Sequence, residues 1–361
     1  MEIGIIGLPK SGKTTLFNSL TRGKADTQAF APTTAQPNIG VAKVPDRRLE
    51  GLKAIFDPKR TVPAEVQYVD VAIAKGKGKE LGGELLVYLS KADGFIHVVR
   101  AFSDERIPHP EGEVNPARDI DSMNMELAFS DLGIIERRLL RIKDSLKGVK
   151  SVEREALLRE QLLLARIGSD LEKEIHVREQ SLTREEAKML ENYQFLTAKP
   201  MLIVLNIGED QLPQRASVEE DFKGRCPRYP VAAVCAKLEM ELGELGEAEA
   251  LEFRSAMGAG EAATDRIINL SYQLLGFITF FTIVSGEVKA WTIHQGTPAV
   301  KAAGKIHSDM ERGFIRAEVI PYVELTRCGS LSEARKQGLL RLEGKNYVVQ
   351  DGDVITFLFS V

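Results

Sequence analysis

Short apolar runs recur along the chain and predict strands that are buried on both faces. They cover residues 1–6, 64–70, 95–100, 201–206 and 228–236, and the second alternates between apolar and polar positions. Runs of this length, rich in Val and Ile and bounded by turn residues, are typical of a parallel sheet. Segments with helical spacing separate them, so the pattern predicts an α/β fold.

From about Asp119 to Phe195 the pattern is helical throughout. Apolar residues recur at helical intervals at Leu139, Ile142, Leu146, Leu157, Leu164, Leu171 and Ile175. A break at Gly148 predicts two antiparallel helices, and Thr183 with Glu186 forms a capping box that opens a third. The segment is either a protruding helical hairpin with short coiled-coil heptads or an amphipathic bundle packed on the body.

The pattern changes again after Gly276 and predicts a separate small module. Its strand-like stretches are Ile278–Ile283, Glu287–Thr292, Phe314–Ile320, Asn346–Val349 and Asp353–Phe359. Turn residues separate these stretches, and a short helix is expected around residues 333–337. The combination predicts an α+β module of the β-grasp type at residues 277–361.

Composition narrows the class of protein without deciding its function. The 361 residues carry a formal net charge of −4, so the chain as a whole shows no basic excess that demands nucleic acid. Its cysteines, Cys226, Cys235 and Cys328, are too scattered for a disulfide framework or a zinc site. No apolar run is long enough to span a membrane, and the first strand begins at the N-terminus without room for a signal peptide. We therefore expect a cytoplasmic protein.

A phosphate-binding loop is the strongest motif in the sequence. Residues 7–14 read GLPKSGKT, which matches G-x-x-x-x-G-K-[ST] between a predicted strand and a predicted helix. A glycine-rich turn that merely ends the strand is the alternative, but the full match in this context makes it improbable. Lys13 is expected to contact the β- and γ-phosphates, and Thr14 is expected to coordinate Mg²⁺. The residues predicted to contact nucleotide here are Pro9, Lys10, Ser11, Gly12, Lys13, Thr14 and Thr15.

The position of this loop sets the domain organisation. Strands of one sheet lie on both sides of the helical segment, so that segment is an insertion. We predict a discontinuous P-loop NTPase domain at residues 1–125 and 196–276. The inserted helical or coiled-coil domain is predicted at 126–195.

A second magnesium ligand is predicted at Asp70, where a strand ends on a carboxylate downstream of the loop. Taken alone, an aspartate at a strand end caps the following turn at least as often. The P-loop favours the metal role.

The base is expected to be adenine. GTPases select guanine with Asn-Lys-x-Asp after a buried strand, whereas this chain reads Asn206-Ile207-Gly208-Glu209. The longer Glu209 displaces the carboxylate that accepts from guanine, and Ile207 replaces the lysine. Asn206 is then expected to be available to the adenine edge.

Long segments of the chain resemble the Obg-like ATPase (YchF) family of P-loop proteins. They are GLPKSGKT (7–14), PNIGVAKVPDRRL (37–49), HVVRAF (97–102), NPARDID (115–121), NIGE (206–209), and the C-terminal blocks 289–320 and 342–361. The resemblance spans essentially the whole chain and implies that residues 277–361 form a TGS domain. It further implies ATP as ligand, Mg²⁺ as cofactor, and the ribosome or translation-related RNA or protein as partner.

The resemblance also implies roles for single residues. Thr34 aligns with a threonine of the first switch that coordinates Mg²⁺, and Ala236 with Lys237 falls in the loop that backs the base. His109 aligns with a histidine of a mobile loop implicated in hydrolysis, which makes it the predicted catalytic residue together with Lys13. The alternative is that His109 is an ordinary surface turn residue.

Two departures from the family pattern bear on activity. Ile73 stands where the second switch has glycine, and Lys10-Ser11 replaces Asn-Val in the loop. The main hypothesis is a slow ATPase that acts as a nucleotide-dependent switch on ribosomes. The alternatives are an ATP-binding scaffold with negligible hydrolysis, which the missing glycine favours, and a GTPase.

Overall fold

The fold was analysed in a computed structural model that describes residues 2–23, 25, 37–70, 83–148, 150–257 and 261–360. Thr34 and Ile73 lie outside these residues. The strands are β1 (Glu2–Ile6), β2 (Asn38–Lys43), β3 (Arg60–Val62), β4 (Glu65–Asp70), β5 (Gly94–Arg100), β6 (Met201–Asn206), β7 (Val231–Val234), β8 (Phe277–Val284), β9 (Glu287–His294), β10 (Phe314–Pro321), β11 (Arg341–Glu343) and β12 (Asp353–Phe359).

Helices connect most of these strands. They are α1 (Lys13–Thr21), α2 (Arg47–Phe56), α3 (Gly83–Lys91), α4 (Pro116–Ser145), α5 (Ser151–Leu171), α6 (Arg184–Leu190), α7 (Arg215–Arg225), α8 (Ala236–Leu242), α9 (Glu247–Ala256), α10 (Ala263–Leu274), α11 (Ala299–Ile306), α12 (Ser308–Arg312), α13 (Tyr322–Cys328) and α14 (Leu331–Lys336). Short 3₁₀ turns occur at Val177–Glu179, Glu191–Tyr193, Leu196–Ala198 and Glu209–Gln214.

The chain forms two compact units. The first comprises Met1–Gly40 and Gln67–Thr264, and the second comprises Val41–Val66 and Asp265–Val361. Residues 41–66, which the sequence assigns to the NTPase domain, therefore group with the C-terminal residues. They do so because β3 pairs in parallel with β9 and because α2 carries Arg48, which forms an ion pair with Asp351.

The first sheet has the strand order β2-β4-β1-β5-β6-β7. The pairs β4–β1, β1–β5, β5–β6 and β6–β7 are all parallel. Ile5 pairs with Asp70, and Asn206 pairs with both Arg100 and Val234. The carboxyl ends of five neighbouring strands therefore meet at one edge, which is where open α/β sheets bind their ligands.

The centre of this sheet is tightly buried. β5 is buried along its whole length, including His97, whose ring nitrogens form no hydrogen bond with the described residues. Burial, with smaller contributions from Lys13 and Arg178, lowers the pKa of His97 to about 3. The ring is therefore neutral near pH 7, and His97 is a packed core residue.

The inserted helical segment is a small bundle. Ile135 and Ile142 of α4 and Leu164 and Ile167 of α5 share one buried cluster, to which Phe195 also belongs. Gly148 lies between α4 and α5, as predicted. Since residues beyond the two long helices complete the core, the bundle alternative describes the segment better than a bare coiled coil.

Two sets of polar contacts stabilise the bundle. Nε and Nη2 of Arg138 donate to Glu160, at 2.7 and 2.8 Å, and the Tyr193 hydroxyl donates to the same carboxylate. The predicted capping box is confirmed, since Glu186 N donates to Thr183 Oγ1 and Thr183 N donates to Glu186 Oε2. Helix α6 then ends at Leu190 rather than continuing to Phe195.

The second unit is built on a mixed sheet with the order β11-β10-β12-β8-β9-β3. Ala299, Ala302 and Ala303 of α11 are buried in one cluster with Phe280 and Phe357 of the sheet. A helix on a mixed sheet fits the predicted α+β module. The strand predicted at residues 346–349 was wrong, because this segment forms a single bridge between Val348 and Pro298.

Asp131 of α4 is a fully buried carboxylate that fixes the end of the bundle. Its oxygens accept hydrogen bonds from Leu196 N (2.9 Å), Thr197 N (2.8 Å) and Thr197 Oγ1 (2.7 Å). Burial raises the pKa of Asp131 to about 6, although the three donors favour the ionised form. The carboxylate thus satisfies donors that no helix or strand satisfies.

We expect Asp131→Ala to lower the free energy of unfolding by about 2–4 kcal/mol, because it leaves buried donors without a partner. The folded pKa lies above the unfolded value of 3.8, so the folded state binds the proton first and this group adds stability as the pH falls through 6. Between pH 7 and pH 5 the gain is about 1 kcal/mol. Urea unfolding followed by circular dichroism measures both quantities. Asp131→Asn is the control, and an unchanged pH profile in that variant contradicts the assignment.

Candidate nucleotide-binding site

The phosphate loop follows β1 and leads into α1. Its two motif glycines, Gly7 and Gly12, stand where a side chain would collide with neighbouring atoms. Gly7 has φ +150°, and a Cβ there would lie 2.3 Å from the carbonyl oxygen of Val98. Gly12 has φ +92°, and a Cβ there would lie 2.2 Å from Nδ2 of Asn206. Any larger residue at either position displaces backbone or a buried amide.

Lys13 is buried inside the loop. Its ammonium donates hydrogen bonds to the carbonyl oxygens of Gly7 and Leu8, both at 2.9 Å. Burial lowers the pKa of Lys13 to about 8, and the nearby Asp70 partly opposes this shift. A buried ammonium at the N-terminus of α1 is suited to bind an anion, because a nearby phosphate would stabilise the charged form of Lys13 that burial disfavours.

Asp70 ends β4 beside the first residues of α1. Its Oδ2 accepts hydrogen bonds from Thr14 Oγ1 (2.7 Å) and from Asn38 Nδ2 (3.3 Å). Its Oδ1 is buried and accepts no hydrogen bond from the described residues. A hydroxyl next to a carboxylate with an unused buried oxygen is the kind of oxygen donor set that Mg²⁺ prefers.

Asn206 joins two parts of the site. Its Nδ2 donates to the carbonyl oxygen of Ser11 (2.9 Å), and its Oδ1 accepts from Ala236 N (3.1 Å) at the start of α8. One N–H of Nδ2 and one lone pair of Oδ1 are therefore used to connect the phosphate loop to the loop after β7. The availability of Asn206 to the adenine edge stays a prediction.

Of the other residues predicted to contact the nucleotide base, one lies in the core and two lie at the surface. The side chain of Ile207 is buried in the cluster that contains Leu205 and Val231, so it does not line an open site. Glu209 and Lys237 are 44% and 67% exposed, and their side chains form an ion pair of 3.1 Å. The hydrogen bond that Lys237 donates to the Glu209 carboxylate raises the pKa of Lys237.

His109 is held in a turn by the start of α4. Its side chain is 2% exposed, and Nε2 lies 2.9 Å from Oδ2 of Asp119. Nδ1 accepts from Glu111 N at 3.1 Å, so the proton resides on Nε2 and is donated to Asp119. The other oxygen of Asp119 accepts from two nitrogens of Arg118. His109 is thus neither a surface residue nor exposed in a loop, and both ring nitrogens are occupied.

The turn that contains His109 also affects a residue at the carboxyl edge of the first sheet. Arg100 ends β5 and is paired in register with Asn206. Asp119 is among the charges that act on Arg100 and oppose the lowering of its pKa by burial. The carboxylate that holds His109 thus acts electrostatically, together with Asp104, on a residue at the carboxyl end of the sheet.

Two family models match the chain. MMR_HSR1, described as a 50S ribosome-binding GTPase, matches residues 2–128. YchF-GTPase_C, described as a protein of unknown function, matches residues 277–360.

Full-length relatives decide the family. The ribosome-binding ATPase YchF of Bacillus subtilis is 41% identical, with 100% of both chains covered. That of Pasteurella multocida is 39% identical over 100% of this chain and 99% of its own. The chain belongs to the YchF family. The solved structure of the Schizosaccharomyces pombe YchF GTPase matches with a TM-score of 0.87 and 29% identity, covering 99% of this chain and 97% of that chain.

Membership of the YchF family confirms the predicted family and the predicted fold class. The YchF relatives are named after different nucleotides, since the bacterial proteins are called ATPases and the Schizosaccharomyces pombe protein a GTPase. The choice of base therefore has to be argued from the site. Among the described residues, no helix is both long and apolar enough to cross a membrane.

Sequence reasoning brought together most of the phosphate and metal residues but missed Asn38 and Asp119. Asn38 contacts Asp70 from β2, and Asp119 holds His109 from α4. Asn38 directly follows Pro37 in a segment that the family resemblance had already marked. Asp119 lies within the segment 115–121 that resembles the YchF family, but nothing in the sequence indicated that it would bond to His109.

We expect Asn206→Ala to weaken MgATP and MgGTP binding by the same factor, about tenfold, because it releases the phosphate loop rather than a base contact. Titration calorimetry with both nucleotides measures this factor. Asn206→Asp is the matched variant, since it retains the acceptor for Ala236 N and replaces the donor to Ser11. A loss confined to ATP would show instead that Asn206 reads adenine.

Proposed function

We propose that this chain binds ATP with Mg²⁺ and hydrolyses it slowly, as a nucleotide-dependent switch in the cytoplasm. The observation that carries the proposal is the convergence of Lys13, Thr14 and Asp70 at the carboxyl edge of a parallel sheet. Lys13 contributes a cation for the β- and γ-phosphates. The Thr14–Asp70 contact of 2.7 Å supports these two residues as the protein's magnesium ligands.

The same proposal assigns the phosphates to the loop of residues 9–15. The backbone N–H groups at the start of α1 form the positive end of that helix, where a phosphate is favoured. Mg²⁺ bound beside Thr14 and Asp70 would neutralise charge on the phosphate oxygens. Thr34 remains a proposed third ligand.

Adenine is favoured because the acid that would read guanine is engaged elsewhere. The Glu209 carboxylate is paired with Lys237, which draws it away from the two donors that guanine presents. Both side chains are more than a third exposed, so the pair itself contributes little stability. We assign the base contacts to the backbone around Ile207 and Ala236, beside the Glu209–Lys237 pair.

The proposed partner is the ribosome. The bacterial relatives are named ribosome-binding ATPases and match over the full length of the chain, which supports the same partner here. ATP turnover measured with and without purified ribosomes tests the switch. A chain that binds ATP without turnover in either condition would be a scaffold.

We expect MgATP to bind about tenfold more tightly than MgGTP, a difference of about 1.4 kcal/mol. Lys13→Ala should remove measurable binding of both, because it deletes the buried cation of the loop. Calorimetric titration gives the affinities, and the melting temperature of the variant shows whether the fold is intact. Equal affinities for the two nucleotides would refute the adenine assignment, and tighter binding of GTP would indicate a GTPase.

His109 is proposed to help activate the attacking water once its bond to Asp119 is released. His109→Ala should then reduce kcat about tenfold or more, while ATP affinity is nearly unchanged. Asp119→Asn is the companion variant, because it weakens the bond that holds His109 in the turn and leaves the imidazole in place. Parent-level turnover in His109→Ala would assign the histidine a structural role in the turn.

A further inference from the structure

The phosphate loop contains a turn whose geometry disfavours the residue that occupies it. Ser11 N donates to the carbonyl oxygen of Leu8 (3.3 Å), with Pro9 and Lys10 between them. Proline fixes a negative φ at the first central position, and Lys10 has φ +65° at the second. These are the signs of a type II turn, whose second central position favours glycine or asparagine.

Lys10 differs sharply from the other lysine of the loop. Lys13 is buried and donates to two backbone carbonyls. Lys10 is exposed, and its ammonium has no hydrogen bond or ion pair with the described residues. The loop thus has one lysine built into its structure and another that contributes nothing to holding the turn.

A strained backbone conformation that persists at a ligand site is a reason to look for function. Phosphoryl transfer passes through a loose transition state, in which negative charge spreads over the departing phosphate oxygens and the γ-phosphoryl oxygens. A cation placed at those oxygens accelerates the reaction, since there is little covalent chemistry for the protein to perform. The flexible stem of Lys10 begins only three residues from Lys13.

We propose that Lys10 is a catalytic residue whose ammonium contacts the γ-phosphate of bound ATP and stabilises the charge that develops during hydrolysis. The inference rests on the proposed ATPase function and deepens it. The oxygen of water forms a bond to the γ-phosphorus, and the bond from that phosphorus to the bridging oxygen breaks. The bridging electron pair stays on ADP, one hydrogen of the water remains on the released phosphate, and the other passes to solvent with the help of His109, while Lys10 keeps its own protons.

A purely structural role for Lys10 makes the opposite prediction about stability. Asparagine tolerates the left-handed conformation better than lysine, so a residue selected for the turn alone would be asparagine or glycine. Removing the lysine should therefore stabilise the protein without nucleotide and impair its function. Strain and charge can be separated by a set of three variants.

The variants are Lys10→Asn, which removes charge and strain, Lys10→Gln, which removes charge alone, and Lys10→Arg, which keeps both. We expect Asn and Gln to lower kcat about tenfold and Arg to stay within about threefold of the parent. Affinity for a non-hydrolysable ATP analogue should fall about threefold to tenfold in Asn and Gln, with ADP affinity within about twofold. The melting temperature without nucleotide should rise by about 1–3 °C in Asn and not in Gln.

Three results would overturn the inference. One is parent-level kcat in both uncharged variants, and another is an equal loss of ADP and ATP-analogue affinity, which would place Lys10 on the α- and β-phosphates. The third is a loss of kcat in Asn but not in Gln, which would trace the effect to the turn. If the parent protein binds no ATP, the proposed function fails first and is recognised by that binding measurement alone.

Discussion

The site depends on one buried amide. Asn206 receives an N–H from Ala236 and donates to Ser11 O, so the loop after β1 and the loop after β7 are tied through the end of β6. Gly12 has no Cβ because that amide occupies the space a Cβ would need. The phosphate loop therefore takes its shape from a residue far along the chain.

Contiguous features were predictable from sequence because their partners lie a few residues apart. The strand–loop–helix around Lys13 and the capping box of Thr183 and Glu186 are of this kind, since backbone periodicity alone sets which groups meet. Asp70 ends β4 and contacts Thr14, because carboxyl ends of neighbouring parallel strands share an edge. Its role as a magnesium ligand stays a prediction.

Features that depend on distant partners were not predictable in the same way. The family motif places Asn206 at the base, but its contact with Ser11 spans 195 residues and depends on how β1 and β6 flank β5. His109 lies between prolines, which suggests an exposed turn, yet Asp119 and the N-terminus of α4 bury it. The grouping of Val41–Val66 with the C-terminal residues follows from strand pairing that no local pattern encodes.

Several energetically unfavourable polar groups of the first unit lie where a bound nucleotide would relieve them. Asp70 has a buried oxygen without a partner among the described residues, and Lys13 has a pKa lowered to about 8 by burial. Lys10 adds a left-handed lysine in the same loop. Asp131 shows the contrast, since it is just as buried and all its hydrogen bonds are made with protein donors. Asp131 thus uses both carboxylate oxygens within the fold, whereas Asp70 has one buried oxygen left for the metal ion that we propose it binds.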